Sequence, residues 1–261
     1  MKWLIASSAK HRGWTVKLLI DAEYYLYVAA SGAEYEAQWD ADDWTYVCRH
    51  GDAKASFQET IGDLRQACPT HTPVMVFGDV FSFRYGIWPA YKANRKKRRR
   101  PAGYRQLQDW VVQGAASRGW EVAKLPDVEG DDVLGILYQE GDIIAAVDKD
   151  LLSVPGWHLR DGKVTEVTEL EANLSFYQQV LTGDSCDNYP GLPGCGPVAA
   201  TKALLGCSTE QDMWRQVMAQ YRKKDYSETY VISQARCARI LRPGEYDHEK
   251  KSPILWNPPV A

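Results

Sequence analysis

Three apolar runs in this chain each stop at an aspartate: Leu-Leu-Ile-Asp21, Val-Phe-Gly-Asp79 and Ala-Ala-Val-Asp148. Apolar runs this short, at residues 16–20, 74–77 and 143–147, read as buried strands, and residues 120–123 supply a fourth between the last two. Longer amphipathic stretches separate them, the alternation expected of a parallel sheet covered by helices. In an open parallel sheet the carboxyl ends of the strands share one edge, and sites form along it. Any one of these aspartates alone reads as a turn residue. Three delivered to one edge by separate strands read as a site.

The remaining elements are less sharply marked. Residues 44–68 carry apolar side chains at helical spacing and stop before Pro69, residues 104–116 form a second helix ending near Gly119, and residues 130–139 form a third. Beyond about Gly162 the strand signals fade, and the remainder reads as mostly helical around a Gly/Pro-rich centre at residues 183–197. The expected fold is therefore α/β, a central mainly parallel sheet flanked by helices over residues 1–165, with a helical region over residues 166–261.

The charges are segregated. Net charge is only −3, yet the stretch 84–105 holds no acid and carries Arg84, Lys92, Arg95, Lys96, Lys97, Arg98, Arg99, Arg100 and Arg105. Acids gather instead as Glu129, Asp131 and Asp132, as Asp148 and Asp150, and as Asp184 and Asp187. The first trio opens a helix, where acids also serve as caps and dipole partners. Taken with Asp21 and Asp79, however, so many carboxylates at one edge repel each other unless cations lie between them. Oxygen donors without suitable His or Cys favour Mg²⁺, with Mn²⁺ as a substitute, over zinc. The number of acids suits two ions, which together would clamp a phosphodiester.

Six cysteines occur without Cys-x-x-Cys spacing, so a zinc knuckle is not expected, and free thiols in a reducing cytoplasm are. No apolar run nears the ~20 residues of a membrane helix, and the opening ten residues do not read as a signal peptide. Gly191-Leu-Pro-Gly194-Cys-Gly196-Pro197 has the form of a glycine-rich turn entering a helix. A plain tight turn explains the glycines alone. Their position just after Gly183-Asp184 and Asp187-Asn188 favours contact with phosphate. Similarly, the basic run at 95–100 suits a solvated loop or an import signal. Tyr91-Lys92-Ala-Asn-Arg95 before it adds an aromatic fit for base stacking and cations fit for phosphate.

These residues resemble the 5′ nucleases, the family of flap endonucleases and of the 5′-nuclease domains of bacterial DNA polymerases. Tyr91-Lys-Ala-Asn-Arg95, Glu129-Gly-Asp131-Asp132, Asp148-Lys-Asp150 and Gly183-Asp184 through Gly196 stand in the family's order and span most of the chain. Ala37-Gln-Trp39, Pro101-Ala-Gly-Tyr104 and the tail Ala238-Arg-Ile-Leu-Arg242 to Asp247 resemble its phage exonuclease branch.

The resemblance implies a PIN-like core with a basic arch at about 84–105, followed by a helix–three-turn–helix DNA-binding module. Asp21, Asp79, Glu129 and Asp131 would hold one metal. Asp148, Asp150, Asp184 and Asp187, sharing Asp131, would hold the second, with Asp132 alongside. Lys92 and Arg95 would act with Asp131 and Asp148 in catalysis. Tyr91, Lys96, Lys97, Arg98, Arg99, Arg100, Gly191, Gly194 and Gly196 would contact DNA, with K⁺ in the loop around the last three. The implied activity is 5′→3′ exonuclease action on duplex DNA, with flap cutting and RNA removal from RNA–DNA hybrids. Its setting would be phage replication, recombination or host DNA degradation in the bacterial cytoplasm, with replication proteins as partners. Two competitors remain at this point: a haloacid-dehalogenase-type phosphatase using Asp148 and Asp150, and a catalytically inactive DNA-binding protein on the same core.

Overall fold

The computed structural model describes residues 15–95 and 99–260, so Lys96, Lys97 and Arg98 lie outside the described residues. In chain order the elements begin β1 (Lys17–Asp21), α1 (Ala22–Gly32), β2 (Glu34–Gln38), β3 (Trp44–Cys48), α2 (His50–Ala67), β4 (Thr72–Phe77), α3 (Arg84–Ile87) and α4 (Tyr104–Gly114). There follow β5 (Glu121–Lys124), α5 (Gly130–Leu137), β6 (Ile143–Ala145), β7 (Gly156–Arg160), β8 (Lys163–Val167) and α6 (Glu169–Thr182). The chain continues with α7 (Pro197–Ala203), α8 (Glu210–Arg222), α9 (Glu228–Ala238), β9 (Tyr246–Asp247) and β10 (Ser252–Pro253).

Six strands form the main sheet in the order β5-β4-β1-β6-β7-β8, parallel except for β8, which runs antiparallel to β7. From β1 the chain builds toward β5 on one side and then crosses to β6 on the other. The reversal places a crevice at the carboxyl ends of β1 and β6.

Period-two alternation explains how the sheet is buried on both faces. Leu18, Ile20, Met75 and Phe77 pack with α1, α2 and α4, while Leu19, Val74, Val76 and Ile144 pack with Val133 and Leu134 of α5. A third apolar cluster joins α6, α8 and α9 around Phe176, Val217, Tyr221 and Val231. The segment after α9 returns to the sheet, where Ile240, Leu241 and Tyr246 join the second cluster.

Two expectations need correction. Residues 44–48 are not the start of a helix: Trp-Thr-Tyr-Val-Cys pairs antiparallel with β2, and the helix begins at His50. Nor do strands stop near Gly162. Asp161 and Gly162, both at positive φ, form the two-residue turn between β7 and β8, a Asp-Gly hairpin signal of the I′ kind.

Candidate active site

Adjacent parallel strands β4, β1 and β6 bring Asp79, Asp21 and Asp148 to one edge. The loop after β5 and the first turn of α5 deliver Glu129 and Asp131 beside them, because Gly78 lets the chains meet. A Cβ on Gly78 would stand 2.6 Å from the Gly130 nitrogen, so only glycine permits this approach. Gly130 itself has ordinary room for a methyl group, its closest neighbours lying 3.5 Å from a built Cβ. A short 3₁₀ turn at Lys149–Ser153 follows Asp148, whose side chain accepts from the Asp150 N–H at 2.9 Å.

Burial first, and neighbouring carboxylates second, raise several of these acids. Burial, with the charges of Glu23 and Asp148 added, raises Asp21 to about 7. Asp131 is pushed well above the usual carboxylate range by burial and by Asp21, Asp148 and Glu129. Burial also raises Asp150 to about 6, helped by Asp148 and Asp184. These are carboxylates whose ionised forms lack sufficient positive charge nearby.

Other acids have found cations within the chain. Burial opposes ionisation of Glu129, but Arg84 and Lys92 outweigh it and hold this carboxyl below its usual range. Lys92 pairs with Glu129 and lies 3.6 Å from Asp187, while Arg95 pairs with Asp187. Asp79 pairs with Lys124 at 2.9 Å. Among the described residues no group of three or more His, Cys, Asp or Glu is arranged to hold a metal ion. The donor chemistry nevertheless suits a hard divalent cation: oxygen donors only, partly dehydrated, with Asp21 and Asp131 short of compensating charge.

Asp132 departs from the expected ligand set. It is fully buried, and both oxygens are engaged: Oδ2 accepts from Arg84 (2.6 Å) and the Glu129 N–H (3.1 Å), and Oδ1 from Arg84 (2.8 Å) and the Leu241 N–H (3.1 Å). Arg84 also donates to the Cys237 and Arg239 carbonyls. This pair fastens the post-α9 segment beneath the site, so Asp132 caps α5 and anchors the tail.

Tyr91 is likewise buried, not displayed for base stacking. Its ring packs 6.3 Å from that of Tyr189, and its hydroxyl lies 2.8 Å from Glu129 and 2.7 Å from Asp187. A hydroxyl has one proton, so it serves the two carboxylates by turns. Arg99 lies on the β2–β3 hairpin, bidentate to Glu34 and 3.8 Å over the Tyr46 ring, and Arg100 sits over Tyr104.

The glycine-rich turn divides in function. Gly191 is buried, with φ +61, and packs backbone to backbone on Gly183; its N–H donates to Gln234. It shapes the loop and does not face solvent. Gly194 and Gly196 are exposed, and Gly196 caps α7 with Pro197 in the first helical position.

Three participants carried no usable signal in the sequence. Arg84 stood within the basic stretch with nothing to mark its burial. Lys124 was an ordinary strand-end lysine. Gln179, on α6, donates to Asp150 at 2.9 Å and so ties the helical part to the site.

No family model matches the chain. In sequence it is 26% identical to the exodeoxyribonuclease of Enterobacteria phage T3, covering 92% of both proteins. It is 26% identical to the exonuclease of Escherichia phage T7, covering 92% of this chain and 93% of that one. A flap endonuclease, Xni of Shewanella amazonensis, is 29% identical over 54% of this chain and 61% of its own length. Among solved structures, T5 5′-exonuclease with divalent metal ions (zinc) bound superimposes with a TM-score of 0.55 at 14% identity, over 85% of this chain and 88% of that one. The T5 D15 protein co-crystallised with metal ions gives 0.51 at 15% identity, over 85% and 93%. At such identities the structural likeness is one of fold.

Proposed function

We propose that this chain, which belongs to the 5′ nucleases, is a 5′→3′ exonuclease on double-stranded DNA that also cuts 5′ flaps and strips RNA from RNA–DNA hybrids. The observation that carries the reading is the set of acids Asp21, Asp131 and Asp148, which repel one another at the crevice between β1 and β6. Asp21, Asp79, Glu129 and Asp131 would hold one Mg²⁺, and Asp131, Asp148, Asp150, Asp184 and Asp187 a second, with Mn²⁺ as a substitute. Bound there, the ions supply Lewis acidity toward the phosphate and make water a stronger acid.

The chain's own side chains do the rest. Lys92 and Arg95 neutralise Glu129 and Asp187 in this structure. With those carboxylates committed to cations, Lys92 and Arg95 would instead meet the scissile phosphate and the charge developing on it. Tyr91 and Gln179 keep Glu129, Asp187 and Asp150 in register. The exposed turn at Gly194 and Gly196 would meet the duplex backbone, with K⁺ among its carbonyls, and backbone contact carries little base information. Cutting is therefore governed by DNA structure, in keeping with phage replication, recombination or host DNA degradation and with replication proteins as partners.

A phosphatase using Asp148 leaves Asp21, Asp79 and Asp131 without a task. An inactive DNA-binding protein has no need to keep them all. Asp148→Asn tests the reading: phosphodiester cleavage should fall about a hundredfold or more, the scale on which loss of one preorganised electrostatic group slows a reaction, while duplex affinity changes little. Near wild-type cleavage by this variant would overturn it.

A further inference from the structure

Beside the acids, at the carboxyl ends of β4 and β5, lies a cavity of about 250 Å³. Leu125 and Tyr246, both buried, and Pro126 give it an apolar wall, and Lys124, His248 and Lys251 line it with basic side chains. Its one acid is Asp79, already paired with Lys124 and taking N–H donors from Val80 and Asp127. The wall is held in place: the Tyr246 hydroxyl donates to the Pro126 carbonyl at 3.3 Å. The turn carrying His248 and Lys251 is fixed by Asp247, which accepts from the Glu249 and Lys250 N–H groups.

The combination is selective. The volume falls just under the ~300 Å³ at which small-molecule pockets begin, which suits one nucleoside and excludes a longer piece of strand. An apolar wall with an aromatic side chain takes a base or sugar. Lysines beyond it take a phosphate. Asp79 belongs both to this cavity and to the row of acids, so a group inside adjoins the bond to be cut.

We propose that the cavity receives the 5′-terminal nucleotide of the strand being cut, with base and sugar against Leu125, Pro126 and Tyr246, and the 5′-phosphate toward Lys124, His248 and Lys251. The inference rests on the 5′-nuclease reading and adds to it a subsite that recognises the chemistry of the strand's end. It explains how an enzyme gripping only backbone can register that it has reached a terminus.

The test compares two linear duplexes differing only in a 5′-phosphoryl or 5′-hydroxyl end. The wild-type protein should show a KM about fivefold lower for the phosphoryl end, the worth of one or two exposed charge contacts. Lys251→Glu and His248→Gln should each raise the phosphoryl KM toward the hydroxyl value, with melting temperature as the check on folding. Calorimetric titration in EDTA, without DNA, should show dAMP binding more tightly than inorganic phosphate, and Lys251→Glu should weaken that binding. Equal KM values for the two ends in the wild type, dAMP binding no tighter than phosphate, or variants that keep the difference would each overturn the subsite. A wild-type protein that cuts neither duplex would instead sink the 5′-nuclease reading, and the titration would then decide the cavity by itself.

Discussion

Replacing Asp21 by asparagine should make the metal-free chain more stable while abolishing its use of metal. Asp21 caps α1 through its Tyr24 N–H contact at 3.3 Å, and asparagine retains an acceptor oxygen for that role. What the substitution removes is a charge. The folded-state value near 7, against an ordinary 3.8, means that the fold prefers the neutral acid. The associated stability is complete below about pH 4 and is lost as pH rises through about 7. At 1.36 kcal/mol per pH unit the full loss is on the order of a few kcal/mol. Urea unfolding in EDTA would measure it at pH 5 and pH 8. The advantage of Asp21→Asn should be larger at pH 8, and Mg²⁺ at pH 8 should stabilise the wild type far more than the variant. A variant less stable than wild type at pH 8 would refute the claim that unpaired negative charge strains this edge.

Arg84→Met leaves Asp132 buried without its partner and should cost about 3–5 kcal/mol in urea unfolding; adding Asp132→Asn, which removes the stranded charge and keeps an acceptor for the Glu129 and Leu241 N–H groups, should recover part of that, whereas no recovery would show that the stranded charge is not the source of the loss. Lys92→Ala should slow single-turnover cleavage with little change in duplex affinity, since its charge is wanted on the reacting phosphate, and an unaltered rate would remove it from the chemistry. Neutralising Arg95, Arg99 and Arg100 together should flatten the slope of log K against log salt by about 0.7–0.9 per lost phosphate contact; an unaltered slope would make these residues intramolecular partners only.

The edge carrying the acids was legible because β1, β4 and β6 are buried on both faces and hence written as short apolar runs. Each ends close to its aspartate. The β2–β3 hairpin was not legible: Glu34–Gln38 carries two acids in five residues, and Trp44–Cys48 runs straight into helix α2, so helical spacing absorbed it. The β7–β8 turn did carry its signal, Asp161-Gly162, in a stretch where β8 is mostly exposed and therefore polar. In the site, spacing located the acids but could not apportion them. Asp131 and Asp132 are neighbours in sequence, yet one faces the repelling acids and the other lies beneath, on Arg84. Tyr91 reads as a stacking residue in the sequence because only the folded chain shows its ring buried in the helical apolar cluster against Tyr189.

The central claim is a metal-dependent attack that begins at a 5′ end. Linear duplex labelled at its 5′ or 3′ termini, together with closed circular duplex, should be incubated with the protein in Mg²⁺ and in excess EDTA. The account predicts early loss of the 5′ label as short products in Mg²⁺, late loss of the 3′ label, intact circles, and no turnover in EDTA. Early loss of the 3′ label, rapid cutting of closed circles, or turnover in EDTA comparable to that in Mg²⁺ would contradict it.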